Sequence, residues 1–141
     1  MTESDLERLE VADGQVIIAI DDGTLSTSGS KTIAHLMTTC RHRKCSIWLF
    51  WHGIYFPTAE SRIISNNVQS YFIMAADRLT PQVACLGGQL GCRKALISAY
   101  NIVKTKPYGY IYLDLHIKTP SELRIRTDIL DERQTVFVPK N

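Results

Sequence analysis

Val16-Ile17-Ile18-Ala19-Ile20-Asp21-Asp22-Gly23 is the stretch on which the fold turns. Its first five residues are apolar and mostly β-branched, the run of a strand covered on both faces in the middle of a parallel sheet. Two carboxylates follow at its C-terminal end, where open α/β sheets bind their ligands. Asp21 and Asp22 are therefore placed to hold a metal or to orient a water. The same Asp-Asp-Gly also reads as a plain turn whose aspartate caps the next element.

Working outward, Glu3 to Ala12 reads as a short helix and Asp13-Gly14 as a turn. Gly23 to Ser30 is a polar loop. A helix is expected from Lys31 to about Thr39, with Ile33, Leu36, Met37 and Cys40 at the offsets of one apolar face. Arg41-His42-Arg43-Lys44 closes it, positive charge meeting the negative end of the helix dipole. A second continuously apolar strand, Ser46 to Trp51, ends at His52-Gly53, and a short helix over Ala59–Ile64 is broken by Asn66-Asn67. Tyr71 to Ala75 is a third strand.

Thr80-Pro81 reads as a helix entry, with threonine as N-cap and proline in the first turn. Gly87-Gly88 is expected to interrupt that helix. A longer one, Cys92 to Lys104, puts Ala95, Leu96, Ala99, Tyr100 and Val103 on one side. Tyr110 to Asp114 is a fourth strand, Leu123 to Thr127 alternates as a half-exposed strand, and Val136 to Val138 is a last short one. Strand alternating with helix predicts an α/β fold with a largely parallel sheet and flanking helices. Residues 1–14 form a short N-terminal tail, and 15–141 form one domain.

At 141 residues the chain can bury a substantial core. Its formal charge of +2 does not by itself point to nucleic acid. The acidic, polar N-terminus is unlike a signal peptide, and no apolar run is long enough to span a membrane. An intracellular, non-secreted protein is expected, with nucleus and cytoplasm not distinguished. Cys40, Cys45, Cys85 and Cys92 are expected to be buried free thiols, since neither the C-x4-C spacing nor the seven-residue separation matches a zinc knuckle. His35 reads as a partly buried histidine, His116 as a turn residue, and Asp114 as the cap of that turn. Trp48, Phe50, Tyr71 and Phe72 lie in continuous apolar runs and read as core.

The order of these segments carries a resemblance. The apolar strand with Asp21-Asp22, Arg41-His42-Arg43 before the second strand, Arg62-Ile63-Ile64-Ser65-Asn66-Asn67 before the third, Lys106-Pro107-Tyr108-Gly109-Tyr110-Ile111-Tyr112-Leu113-Asp114, and Leu123 to Ile129 follow one another as in a known family. From Gln15 to Lys140 the chain resembles the C-terminal half of FtsK/HerA-type DNA-packaging ATPases of DNA viruses and Maverick/Polinton-type mobile elements. The resemblance implies a P-loop-NTPase-like domain truncated on its N-terminal side, with a short β tail. It implies that Asp21 and Asp22 are the Walker B pair, Asp21 holding Mg2+ through water beside ATP and Asp22 activating the attacking water. Arg41 or Arg43 is then an arginine finger, with Arg62 a second candidate. Arg43 and Lys44 would contact DNA, and ring or homo-oligomer assembly on double-stranded DNA would follow.

Two departures from the family weigh on this. No G-x-x-x-x-G-K-[ST] phosphate cradle precedes the acidic strand, and Gly23 to Thr32 has the wrong spacing and the wrong place. The strand Ile47 to Trp51 should end in a small polar sensor but runs into Trp51-His52-Gly53, leaving His52 as its hydrogen-bonding substitute. The sequence thus leaves three readings: an ATPase core whose phosphate loop comes from another chain, a non-catalytic assembly subunit, and a DNA-binding module that uses Arg41, Arg43, Lys44 and Lys104/Lys106. A chain without its first strand and helix would also leave apolar sheet uncovered and self-associate.

Overall fold

The computed structural model describes residues 16–21, 30–42 and 45–139. The N-terminal helix expected at Glu3–Ala12, Asp22, the loop from Gly23, Arg43, Lys44 and Lys140 lie outside the described residues. The chain divides into two compact units, Met1–Asn67 and Val68–Asn141.

In the first unit, β1 (Val16–Ile20) and β2 (Cys45–Leu49) pair in parallel, from Val16 opposite Cys45 to Ile20 opposite Leu49. Helix α1 (Lys31–Thr39) lies between them in sequence and α2 (Ala59–Asn67) follows β2. The Ser30 side chain caps α1 by accepting the Ile33 N–H at 3.3 Å. A 3-10 turn at Cys40–His42 ends that segment. Helix α2 runs through Asn66 and Asn67 instead of breaking there, because the Asn67 amide donates back to the Ile63 carbonyl at 2.8 Å. Ile33, Ala34 and Ile64 form the core of this unit, and Ile20, Met37, Leu49 and Trp51 pack against it.

Among the described residues, helices pack on one face of this pair. Ile17 is 59% exposed, Trp48 56% and Phe50 50%. The expectation that β1 is buried on both sides is therefore corrected: a continuous apolar run fits a doubly covered strand, but here only the Ile20 and Leu49 side meets helical residues.

In the second unit, β3 (Ser70–Met74), β4 (Tyr110–Asp114), β5 (Ile125–Thr127) and β6 (Thr135–Val136) form an antiparallel sheet in that order. Two helices, α3 (Thr80–Gln89) and α4 (Arg93–Val103), connect β3 to β4. The largely parallel, P-loop-NTPase-like sheet expected from the sequence is therefore not formed. The described residues hold a two-stranded parallel sheet and a separate four-stranded antiparallel one.

The reversal has a simple cause. One crossover helix returns the chain to the start of a sheet, so the next strand runs parallel. Two helices in hairpin bring it back to the other end, and β4 descends where a parallel strand would rise. Gly87 makes the hairpin tight: a Cβ there would stand 2.8 Å from the Arg93 Cα. Helix α3 continues through Gly87-Gly88, and the chain turns at Gly91, whose φ is +70°. Thr80 is not the N-cap. Leu79 holds that position after a 3-10 turn at Asp77–Leu79.

The core of this unit lies between α3, α4 and one face of the sheet. Val83, Leu86, Leu96, Ala99, Tyr100, Val103, Ile73, Ile111, Leu113, Ile125 and Thr127 are buried. The period-2 alternation of β4 and β5 sends Ile111, Leu113, Ile125 and Thr127 inward and leaves Tyr110, Tyr112 and Arg126 on the opposite face.

Candidate functional site

The acidic strand brings Asp21 to the end of the parallel pair, as the spacing requires. The Phe50 N–H donates to the Ile20 carbonyl at 3.0 Å, so the segment leading to His52 leaves β2 beside the exit of β1. Asp21 and His52 are both exposed and both engaged in interactions. Arg41 lies in the 3-10 turn after α1, at the opposite end of β2 from His52, where β2 begins. Arg43 and Lys44 come next but fall outside the described residues, as does Asp22. Arg62 is exposed on α2.

Trp51, at the position of the expected polar sensor, is a packing residue. It contacts the Ile33–Ala34–Ile64 core and meets Phe56 edge to face at 5.1 Å. Magnesium bound through water takes one or two carboxylates and the oxygens of a phosphate. Among the described residues, no group of three or more His, Cys, Asp or Glu side chains could hold a metal.

The second unit carries a cluster that the sequence reading did not assemble. Arg126 donates to Asp114 Oδ2 at 2.8 Å, and its guanidinium lies 5.0 Å from the Tyr112 ring centroid. Phe72 stands 4.8 Å from Tyr112 and 6.1 Å from Tyr110. Both tyrosine hydroxyls are tied down, Tyr112 to Ser70 at 3.2 Å and Tyr110 by the Ile129 N–H at 3.0 Å. Lys106 closes the Tyr110 end by pairing with Asp128 at 2.8 Å. That hydrogen bond, with the Lys106 charge, holds the Asp128 carboxyl below its ordinary range against a smaller opposing desolvation.

Asp114 does cap the turn after β4, accepting the His116 N–H at 3.0 Å, and its pairing with Arg126 is the part sequence spacing did not reveal. The signal was present in Tyr110-Ile111-Tyr112 and Ile125-Arg126-Thr127, whose alternation marks a second, solvent-facing row. Phe72, expected in the core, is 59% exposed on that row. Tyr71, its neighbour on the other face of β3, is half-buried.

Elsewhere in this unit a cleft of about 390 Å³ is lined by Cys92, Leu113, Glu122, Arg124, Ile125 and Val138, among others. Burial pushes the Cys92 thiol up, against the opposing charge of Arg124. All four cysteines are free thiols, but they are not buried as expected: Cys85 is exposed and the others are half-buried. His35 is likewise exposed and not partly buried, its helix position pointing away from Ile33 and Leu36. No helix among the described residues is long and apolar enough to cross a membrane. Comparison with protein-family models, with curated proteins and with solved structures finds no match.

Proposed function

We propose that the chain is a non-catalytic DNA-binding protein related to the double-stranded DNA packaging and translocation ATPases that its motif order resembles, and that it holds duplex DNA without hydrolysing ATP by itself. The partition of charge carries this reading. Residues 68–141 contain ten Lys and Arg against six Asp and Glu, whereas residues 1–67 contain six against eight. Arg78, Arg93, Lys94, Lys118 and Arg133 are all exposed. A net positive charge of this kind attracts a polyanion, and its cations recruit phosphates by releasing the counterions condensed on DNA. Trp51, packed against the core where a small polar sensor would stand, argues against autonomous ATP turnover.

Duplex affinity of the full chain is expected to fall about tenfold or more between roughly 50 and 200 mM salt. Lys94→Ala, at an exposed position of the basic unit, should lower the slope of log affinity against log salt by about one. Both are measured by fluorescence anisotropy. A response independent of salt removes the reading.

A second reading, an ATPase core completed by another chain's phosphate loop, is favoured by one observation: Asp21 leaves β1 at the same end of a parallel pair as the segment carrying His52. Under it, magnesium-ATP raises the melting temperature and Asp21→Ala abolishes the rise. Under the non-catalytic reading, neither protein shifts.

A further inference from the structure

We infer that the solvent-facing side of the β3–β6 sheet is a stacking platform for single-stranded nucleic acid, with Phe72 and Tyr110 as the base-stacking rings and Tyr112–Arg126 as their support. The inference deepens the nucleic-acid reading above and rests on it, but it uses a different surface chemistry.

The sheet has helices on one face only, and its other face is aromatic where an exposed antiparallel face is ordinarily polar. Tyr110 and Tyr112 stand two residues apart on β4, and Phe72 stands directly opposite Tyr112 on the neighbouring strand. Two rings in one strand and one on its antiparallel neighbour is the arrangement with which four-stranded sheets stack two or three bases. The rings are preorganised. Their hydroxyls are fixed by Ser70 and by the Ile129 N–H, and Arg126 lies over Tyr112 while held by Asp114. Little rotamer freedom remains to be lost on binding.

The charges around the rings explain why the occupant is a single strand and not a duplex. Arg126 is balanced by Asp114 and Lys106 by Asp128. The platform itself is close to neutral, while the unit around it carries an excess of positive charge that draws in a polyanion. A duplex hides its base faces and is held through its phosphates, whereas unpaired bases offer those faces to Phe72 and Tyr110. A protein partner covering this side would have to desolvate the exposed Lys106–Asp128 pair. A single strand stacked on the rings leaves that pair wet at the rim.

The experiment compares a short oligothymidylate, a short oligouridylate and a duplex on the full chain, with Phe72→Ala and Phe72→Trp beside wild type. Phe72 is exposed, so neither variant threatens the core, and circular dichroism verifies this. The expected result is single-strand binding that is less salt-sensitive than duplex binding, weakened about tenfold or more by Phe72→Ala and retained by Phe72→Trp, with duplex affinity unchanged in both variants. Equal binding of the two oligonucleotides assigns the contact to stacking on either nucleic acid. Preference for oligouridylate identifies RNA, and preference for oligothymidylate identifies DNA. If the duplex binds but Phe72→Ala holds the single strands as wild type does, or neither single strand binds, the platform is refuted and the duplex reading stands. If nothing binds, both fall.

Discussion

Gly109→Ala is expected to abolish the folded second unit at physiological temperature, while Gly88→Ala leaves it as stable as before or slightly more so. A Cβ on Gly109 would overlap the Val103 carbonyl oxygen and stand 2.8 Å from its carbon, both backbone atoms at the end of α4. No rotamer change relieves a clash with main chain, so either α4 or the start of β4 must move. The Gly109 N–H also donates to the Lys106 carbonyl and its carbonyl accepts the Ala75 N–H at 2.8 Å, so a shift there would unzip β3 from β4. The cost is about 3 kcal/mol or more, a fall in melting temperature of at least about 12 °C for a unit of this size. Gly88 has nothing within 4 Å of its virtual Cβ and lies inside α3, where alanine is favoured by about 0.5–1 kcal/mol. Equal melting temperatures for the two variants would show that the approach of α4 to β4 is not as tight as described.

The second large effect is expected at Tyr100. Its ring is fully buried, and its hydroxyl accepts the Ala76 N–H at 2.9 Å while facing the Ala76 carbonyl at 2.8 Å and the Met74 carbonyl at 3.3 Å. A phenol has one proton, so the nearer carbonyl takes it. This hydroxyl pins the strand's exit to α4, doing for the end of β3 what a further sheet partner would do. Tyr100→Phe fills the same space but leaves the Ala76 N–H and carbonyl without their partner, at a cost of about 1–3 kcal/mol. Tyr112→Phe, which removes a hydroxyl bonded only to exposed Ser70, should change stability by no more than about 0.5 kcal/mol. Chemical denaturation of both variants separates the cases. A Tyr100→Phe curve superimposable on wild type would mean that water replaces the hydroxyl.

Legibility in the sequence differed from element to element for physical reasons. Helix α1 was readable because Ile33, Leu36 and Met37 repeat at helical spacing, while the Ser30 cap emerged only in the structure. Helix α4 was readable from Leu96, Ala99, Tyr100 and Val103 in the same way. Strand β4 was readable from its length and its β-branched and aromatic content. The breaks expected at Asn66 and Gly87 did not occur. A short polar side chain can bond back into its own helix, and a helical glycine can be kept for the neighbour that touches it.

At the candidate sites, Asp21 stood where the strand-end argument put it, and Trp51, standing where a small polar sensor was expected, packs against the Ile33–Ala34–Ile64 core. Phe72, read as core, is exposed, since an apolar run does not say which of its two alternating rows will find cover.

By itself, then, the sequence determined the local elements and their order, because periodicity, caps and turn residues act within a few neighbours along the chain. It also determined that Asp21 ends a strand. Only the tertiary structure decided the direction of β4, which depends on the number of helices between β3 and β4 and on the close approach at Gly87 and Gly109. It alone decided that Phe72, Tyr110, Tyr112 and Arg126 share one open face, because their meeting depends on strand register across 54 residues of chain from 72 to 126, and no local signal encodes a contact made at that range.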